Sequence, residues 1–145
     1  MPFIKVYIHF IWSTKNRFPY LNSTESRMKV WEHIRQNAKA KGIFVDFVSG
    51  YSDHCHCLIS LGGDQTIQKV MQLVKGESSF WINKNQLTTE KFEWQDEYYG
   101  VSVSESILPR VRRYIQNQEE HHRKKSYQEE FEEFILKHGF QKFHD

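Results

Sequence analysis

Long apolar runs are missing from this sequence. No stretch of its 145 residues approaches the ~20 consecutive apolar residues that a membrane-spanning helix needs, which argues against such a protein. The start, Met1-Pro2-Phe3-Ile4-Lys5, lacks the basic region and cleavage site of a signal peptide, so a cytoplasmic protein is expected. Cysteine is scarce: only Cys55 and Cys57 occur, two apart in one short run, where side chains diverge poorly for a disulfide. Both read as small buried hydrophobes in a reducing compartment. Internal repeats and low-complexity tracts are absent as well. Charge of one sign is not in excess, since the net is +2, which permits a local basic patch without demanding one. The length fits one domain, residues 1–145, with a real core. A modest hydrophobic share of 39% and a high aromatic share of 15% fit a folded chain with half-exposed aromatics rather than a disordered one.

What the sequence does contain is Asp53-His54-Cys55-His56-Cys57-Leu58-Ile59-Ser60-Leu61. Successive side chains of a strand point to opposite faces, so Cys55, Cys57, Ile59 and Leu61 read as the buried face and His54 and His56 share the other. Two neutral imidazoles side by side make a natural pair of metal ligands. The run His-Cys-His-Cys also invites a zinc reading, but the same alternation argues against a four-ligand site, because the thiols point away from the imidazoles. Histidines on a strand are more often satisfied polar residues, so the metal reading needs support from elsewhere in the chain.

Residues 3–12 read as a strand, with Ile4, Val6, Ile8, Phe10 and Trp12 on one face and Lys5, Tyr7 and His9 on the other. In the loop that follows, Lys15 and Arg17 could grip phosphate. Asn22 or Ser23 would cap a helix with Met28, Trp31, Ile34 and Ala38 at helical spacing, closed by Gly42. Residues 43–49 read as a second strand that turns through 50–53 into the histidine strand as a hairpin. Asp64 would cap a second helix, with Ile67, Val70, Met71, Val74, Trp81 and Ile82 as its apolar stripe and Lys75 outside it. Residues 92–103 read as a fourth strand, kinked at Gly100. The order strand, helix, strand, strand, helix, strand predicts an α+β, ferredoxin-like antiparallel sheet with both helices on one face. His9, His54 and His56 would then stand on its open face.

Residues 104–125 read as a third helix, with Pro109 tolerable in the first turn. Tyr114 and Gln118 are four apart on it, hence neighbours on one face. Arg110, Arg112 and Arg113 flank the tyrosine, and His121, His122, Arg123, Lys124 and Lys125 follow. Ser126 with Glu129 forms a capping box that opens a short helix bearing Phe131, Phe134 and Ile135 and stopping at Gly139. A phenol, an amide oxygen and two imidazoles suit one reaction class. The phenol attacks a phosphodiester, while a metal held by the imidazoles and the amide oxygen stabilises the developing charge. The phenol must lose its proton to a base that the sequence does not name.

The run His54-Cys55-His56-Cys57-Leu58-Ile59-Ser60-Leu61, the helix from Val70 through Lys75-Gly76-Glu77-Ser78-Ser79, the stretch Trp94-Gln95-Asp96 and the segment Tyr114-Ile115-Gln116-Asn117-Gln118-Glu119-Glu120-His121-His122 together resemble the single-tyrosine HUH transposases. Within them the chain is most similar to the transposases associated with repetitive extragenic palindromes. The opening His9-Phe10-Ile11-Trp12 is similar to that family's first strand. The resemblance implies a DNA strand transferase acting on single-stranded DNA with hairpins near the cleavage site. It assigns His54 and His56 as metal ligands, Gln118 as the third ligand and Tyr114 as the nucleophile forming a 5′-phosphotyrosine. It also implies a homodimer and magnesium or manganese; imidazole ligands favour manganese. Lys15, Arg17, Lys75, Arg112 and Arg113 are the expected DNA contacts. Cys55 stands where the family usually has a larger aliphatic, and the C-terminus stops soon after Gly139, which bears on tail contacts. Two other readings stay open: a non-catalytic nucleic-acid-binding module or domesticated remnant, and a metal-dependent hydrolase that forms no adduct.

Overall fold

The alternation of the first segment becomes β1 (Tyr7–Ser13) in the computed structural model, which describes residues 3–122 and 125–138. Ile8, Phe10 and Trp12 enter the main core, as the spacing predicts. The strand begins later than expected, leaving Phe3, Ile4 and Val6 exposed, because the pairing of Tyr7 with Ser60 and Val103 is the end of both neighbouring ladders. Next comes α1 (Thr24–Ala40), capped by Ser23, whose hydroxyl accepts the Ser26 N–H at 3.1 Å. It buries Val30, Trp31, Ile34 and Ala38, while Met28 is exposed and the stripe instead includes Arg27. Gly42 takes a φ of +74°, the left-handed turn that lets Ile43 bond back to the Ala38 carbonyl at 2.9 Å.

The strands β2 (Phe44–Tyr51) and β3 (His54–Ser60) form the expected antiparallel hairpin. Thr66, rather than Asp64, caps α2 (Ile67–Lys84), its hydroxyl accepting the Lys69 N–H. The last strand, β4 (Tyr99–Val103), is shorter than expected. Upstream of it, the Asn83 side chain holds Phe92 through both its N–H and its carbonyl, and the Trp94 indole donates to Ser78 at 2.9 Å. This stretch therefore packs along α2 and meets the edge of the sheet at the end of β1, through the Thr14–Trp94 bridge, the Gln95 N–H donated to the Ser13 carbonyl at 2.9 Å and the edge-to-face contact of Trp94 with Trp12. The strand order β2-β3-β1-β4, antiparallel throughout, is the ferredoxin-like arrangement.

The second face of the sheet is covered, not open. The segment read as one helix over 104–125 is a 3-10 turn at Glu105–Ile107, then α3 (Leu108–Gln116) and α4 (Gln118–His121), interrupted at Asn117. After it comes α5 (Tyr127–His138), where Ser126 accepts the Glu129 N–H at 3.2 Å. Leu108 and Ile115 close a smaller core against Leu58 and Val103. Arg123, Lys124 and Gly139 lie outside the described residues. No helix among the described residues is long and apolar enough to cross a membrane.

Gly50 marks the tightest point of the β2–β3 hairpin. A Cβ there would lie 2.2 Å from the His54 carbonyl oxygen and 3.0 Å from the Cys55 Cα, both backbone. Gly50→Ala is therefore expected to cost about 3 kcal/mol and to lower the melting temperature, measured by circular dichroism. An unchanged midpoint would contradict the packing of this hairpin.

Candidate active site

The pleat of β3 sends Cys55 and Cys57 into the main core, where burial pushes both thiols well up from their ordinary range. His54 and His56 point the other way and are fully buried beneath the C-terminal helices. Covering them turns two strand residues into the floor of an enclosed cluster.

Each imidazole is held from behind. Asp53 Oδ1 lies 2.9 Å from His54 Nδ1, so that nitrogen carries the ring proton and Nε2 faces inward. His9 Nε2 lies 2.9 Å from His56 Nδ1 and fixes the orientation of that ring. The inward atoms meet side chains from α3, α4 and α5. His54 Nε2 is 3.1 Å from Gln118 Oε1 and 3.4 Å from Glu130 Oε1. His56 Nε2 is 3.1 Å from Glu130 Oε1, and His122 Nε2 is 3.0 Å from Gln118 Oε1. The amide nitrogen of Gln118 donates to the Tyr114 carbonyl at 3.2 Å, which fixes its oxygen toward the histidines. The Tyr114 hydroxyl donates a hydrogen bond to Glu130 Oε2. His121 Nε2 is 3.0 Å from the same oxygen, without the direction of a hydrogen bond.

The chemistry of this donor set can be tested against a metal ion. With Nδ1 protonated, the Nε2 lone pair of His54 faces two oxygens that are also acceptors. Such a cluster is satisfied only by positive charge at its centre, whether protons on the imidazoles or a divalent cation. One donor atom each from His54, His122 and Glu130 lie within 4.8 Å of one another. Imidazole nitrogens with an amide and a carboxylate oxygen are ligands that suit manganese better than magnesium. The residues therefore fit a divalent ion.

The surroundings set the protonation states. Burial alone would raise the Glu130 carboxyl, but hydrogen bonds from His122 and His56 and the nearby imidazoles outweigh it and hold it far below the ordinary carboxylate range. Burial, the charge of Glu130 and the bond to it keep the Tyr114 phenol well above its usual value. Burial pushes His9 down to about 3 and His56 to about 4. Both are thus neutral in the fold, whereas in the unfolded chain they titrate near 6.5. On acidification below ~6.5 the unfolded chain takes up protons that the folded chain refuses, so stability rises with pH across this window and is lost as pH falls. Each histidine contributes a slope of about 1.4 kcal/mol per pH unit. Glu130 adds loss in the same direction at lower pH, since its folded value is depressed. The expected outcome is a melting temperature that declines steadily from about pH 7 to pH 5 in chelator-treated buffer; a flat profile would contradict neutral buried imidazoles.

Arg27, Glu130 and His122 complete the cluster in ways the sequence reading did not single out. Arg27 is buried, forms two bonds to Glu119 at 2.7 and 2.9 Å and donates to the Leu21 carbonyl, locking α4 and hence Gln118 against α1. The signals were a charged residue inside each apolar stripe: Arg27 with Val30, Trp31 and Ile34, and Glu130 with Tyr127 and Phe134.

The five cations expected at DNA are placed differently. Lys15 pairs with Glu93 at 3.0 Å. Arg112 grips Asp46, on the bulge of β2, at 2.6 Å. Lys75 donates to the carbonyls of Gln95 and Asp96, and burial lowers its ammonium to about 8. Arg17 lies over the rings of Tyr127 and Phe131. Arg113 is exposed and lines a cleft of about 770 Å³ with Arg110, Tyr114 and Lys125.

Residues 3–118, from the first strand through Gln118, match the family of IS200-like transposases. The chain belongs to that family. The matched span holds His54, His56, Tyr114 and Gln118; Glu130 lies beyond it. A transposase-assigned protein of Deinococcus radiodurans R1, solved by crystallography, superposes with a TM-score of 0.63 at 23% identity, covering 81% of this chain and 93% of that one. A tyrosine transposase associated with repetitive extragenic palindromes, solved bound to a hairpin of that element, superposes with a TM-score of 0.61 at 17% identity, covering 84% and 72%. Both likenesses are of fold. No curated protein matches the chain.

Proposed function

We propose that this IS200-like transposase cuts and rejoins single-stranded DNA through Tyr114. What carries the reading is the convergence of Tyr114, His54, His56 and Gln118 on one buried cluster, from β3, α3 and α4, in a chain of a transposase family.

His54 Nε2, His56 Nε2 and Gln118 Oε1 would hold the ion, Mn²⁺ or Mg²⁺, with Glu130 and His122 near enough to join. When bound, such an ion polarises a phosphoryl oxygen and offsets the charge that develops on it. The rest is the work of the chain. Asp53 holds the His54 ring, and His9 the His56 ring, with their Nε2 atoms facing inward. The Tyr114 oxygen forms a bond to phosphorus as the bond from phosphorus to the 3′ oxygen breaks, leaving a 3′ hydroxyl and a 5′-phosphotyrosine. Attack of the 3′ hydroxyl of another strand reverses the step, so rejoining needs no external energy. Glu130 Oε2 is the acceptor on the phenol proton. Arg110, Arg113 and Lys125 border the cleft beside Tyr114 and suit the phosphates of an incoming strand.

Hairpin DNA is the proposed substrate, in line with the hairpin bound by the palindrome-associated relative. A homodimer, a cytoplasmic setting and a single catalytic domain over residues 1–145 belong to the same proposal. The test is incubation of the chain with end-labelled hairpin DNA and Mn²⁺, followed by denaturing electrophoresis. A labelled species that survives denaturation supports the transferase. Cleavage without such a species would favour a hydrolase, and binding without either would favour a remnant in which Glu130 permanently holds the phenol.

A further inference from the structure

Beside the cluster, between the turn after β1, the start of β4 and α5, lies a second cavity of about 350 Å³ that the strand-transfer chemistry leaves unused. Its size falls within the ~300–1,000 Å³ of small-molecule sites. One wall is aromatic: the rings of Tyr99 and Phe131 meet edge to face at 4.9 Å. Arg17 lies over that wall, its guanidinium carbon 5.1 Å from the Phe131 centroid and 5.3 Å from that of Tyr127. The lining also includes the polar side chains of Asn16, Gln95 and Glu97.

The backbone goes out of its way to build this wall. Asn16 and Arg17 have φ of +57° and +56°, a left-handed pair that is common for asparagine among residues with side chains but seldom adopted by arginine. Gln95 Oε1 accepts the Asn16 N–H at 3.3 Å and supports the turn, leaving the Gln95 amide nitrogen without a bond among the described residues. The outcome is that Arg17 folds back over α5 and has no ion pair among the described residues. Strained turns of this kind collect where ligands are gripped.

We propose that this cavity takes one unstacked nucleobase of the DNA strand near the reacting phosphate. The inference rests on the single-stranded DNA reading above. A phosphate is disfavoured by the Glu97 carboxylate on the wall, whereas a heteroaromatic ring with mixed donors and acceptors matches rings, a guanidinium plane, an amide and a carboxylate. Tyr99 donates to Glu97 Oε2 at 3.1 Å and holds that carboxylate in place. Guanine matches best, because its Watson–Crick edge offers two adjacent N–H donors to a carboxylate and a carbonyl to an amide. The location suits a base close to the chemistry: Ser13 on the rim pairs in register with His54, and the Tyr127 ring stacks on His54 at 4.4 Å.

The experiment is fluorescence-anisotropy titration of the full chain with hairpin DNA carrying a single abasic site, walked through the flanking single strand. One position, a guanine in the best-bound strand, is expected to weaken binding roughly tenfold while its neighbours do not. Arg17→Gly, which keeps the left-handed turn, and Phe131→Leu, which keeps an apolar side chain, should weaken intact DNA by a similar factor and lose the response to that abasic site. An identical abasic profile in the variants, or a uniform one in the wild type, overturns the pocket. Adduct formation is read separately: an adduct with a uniform abasic profile overturns the pocket alone, and absence of any DNA binding overturns both readings.

Discussion

Tyr114→Phe will bind hairpin DNA almost as the parent chain does and will form no covalent adduct with it. Removal of a nucleophile from a working set costs on the order of 10⁴–10⁶ in turnover, and the adduct itself has no other route if Tyr114 is its origin. The substitution is well chosen for shape. The Tyr114 ring stands edge to face with His56 and His121, each at 5.4 Å between centroids, and phenylalanine keeps those contacts. Only the hydroxyl and its bond to Glu130 are lost, while Glu130 retains His56 and His122. The folded state should therefore change by no more than about 1 kcal/mol. An adduct that persists in Tyr114→Phe and disappears in Tyr127→Phe would move the nucleophile to the phenol stacked on His54.

His54→Ala is expected to weaken Mn²⁺ binding by at least about 100-fold, followed by calorimetry or by the electron paramagnetic resonance signal of the free ion, and to abolish cleavage with it. The imidazole supplies an inward nitrogen that no neighbour can replace, since His56 and His122 already face the same point. Asp53→Asn tests the support of that nitrogen and should cost ~10–100-fold, because the amide can present its N–H to Nδ1 and turn the ring proton inward. Equal Mn²⁺ affinity in parent and His54→Ala would show that the cluster is satisfied by protons alone, and the hydrolytic or transfer chemistry would have to be sought elsewhere.

The parts of this arrangement legible in the sequence are those set by short-range periodicity. Strand alternation separates the two histidines from the two cysteines. Helical spacing brings Tyr114 and Gln118 together, and it does so although the helix breaks at Asn117, because the Gln118 amide still reaches back to the Tyr114 carbonyl. What could not be read was tertiary. The face that carries His9, His54 and His56 reads as open because the ferredoxin-like order assigns only two helices to the sheet, both on the other face, and gives no packing site for α3 to α5. Glu130 sits among Glu129, Glu132 and Glu133, and only its place on the Tyr127 side of α5 sets it apart. Lys15, Lys75 and Arg112, read as DNA contacts, also have partners within the chain in Glu93, the carbonyls after Trp94 and Asp46, which the sequence did not reveal. Composition gives no means of telling an internal counter-charge from an external one.

The pleat of β3 also ties folding to chemistry. Because thiols and imidazoles alternate along His54-Cys55-His56-Cys57, a slip of one residue against β1 would exchange them, putting two imidazoles into the apolar core and two thiols into the cluster. The misregistered state loses core packing and the donor set in the same event. Loss of fold and loss of the donor set are thus expected together in any variant whose β3 shifts by one residue against β1.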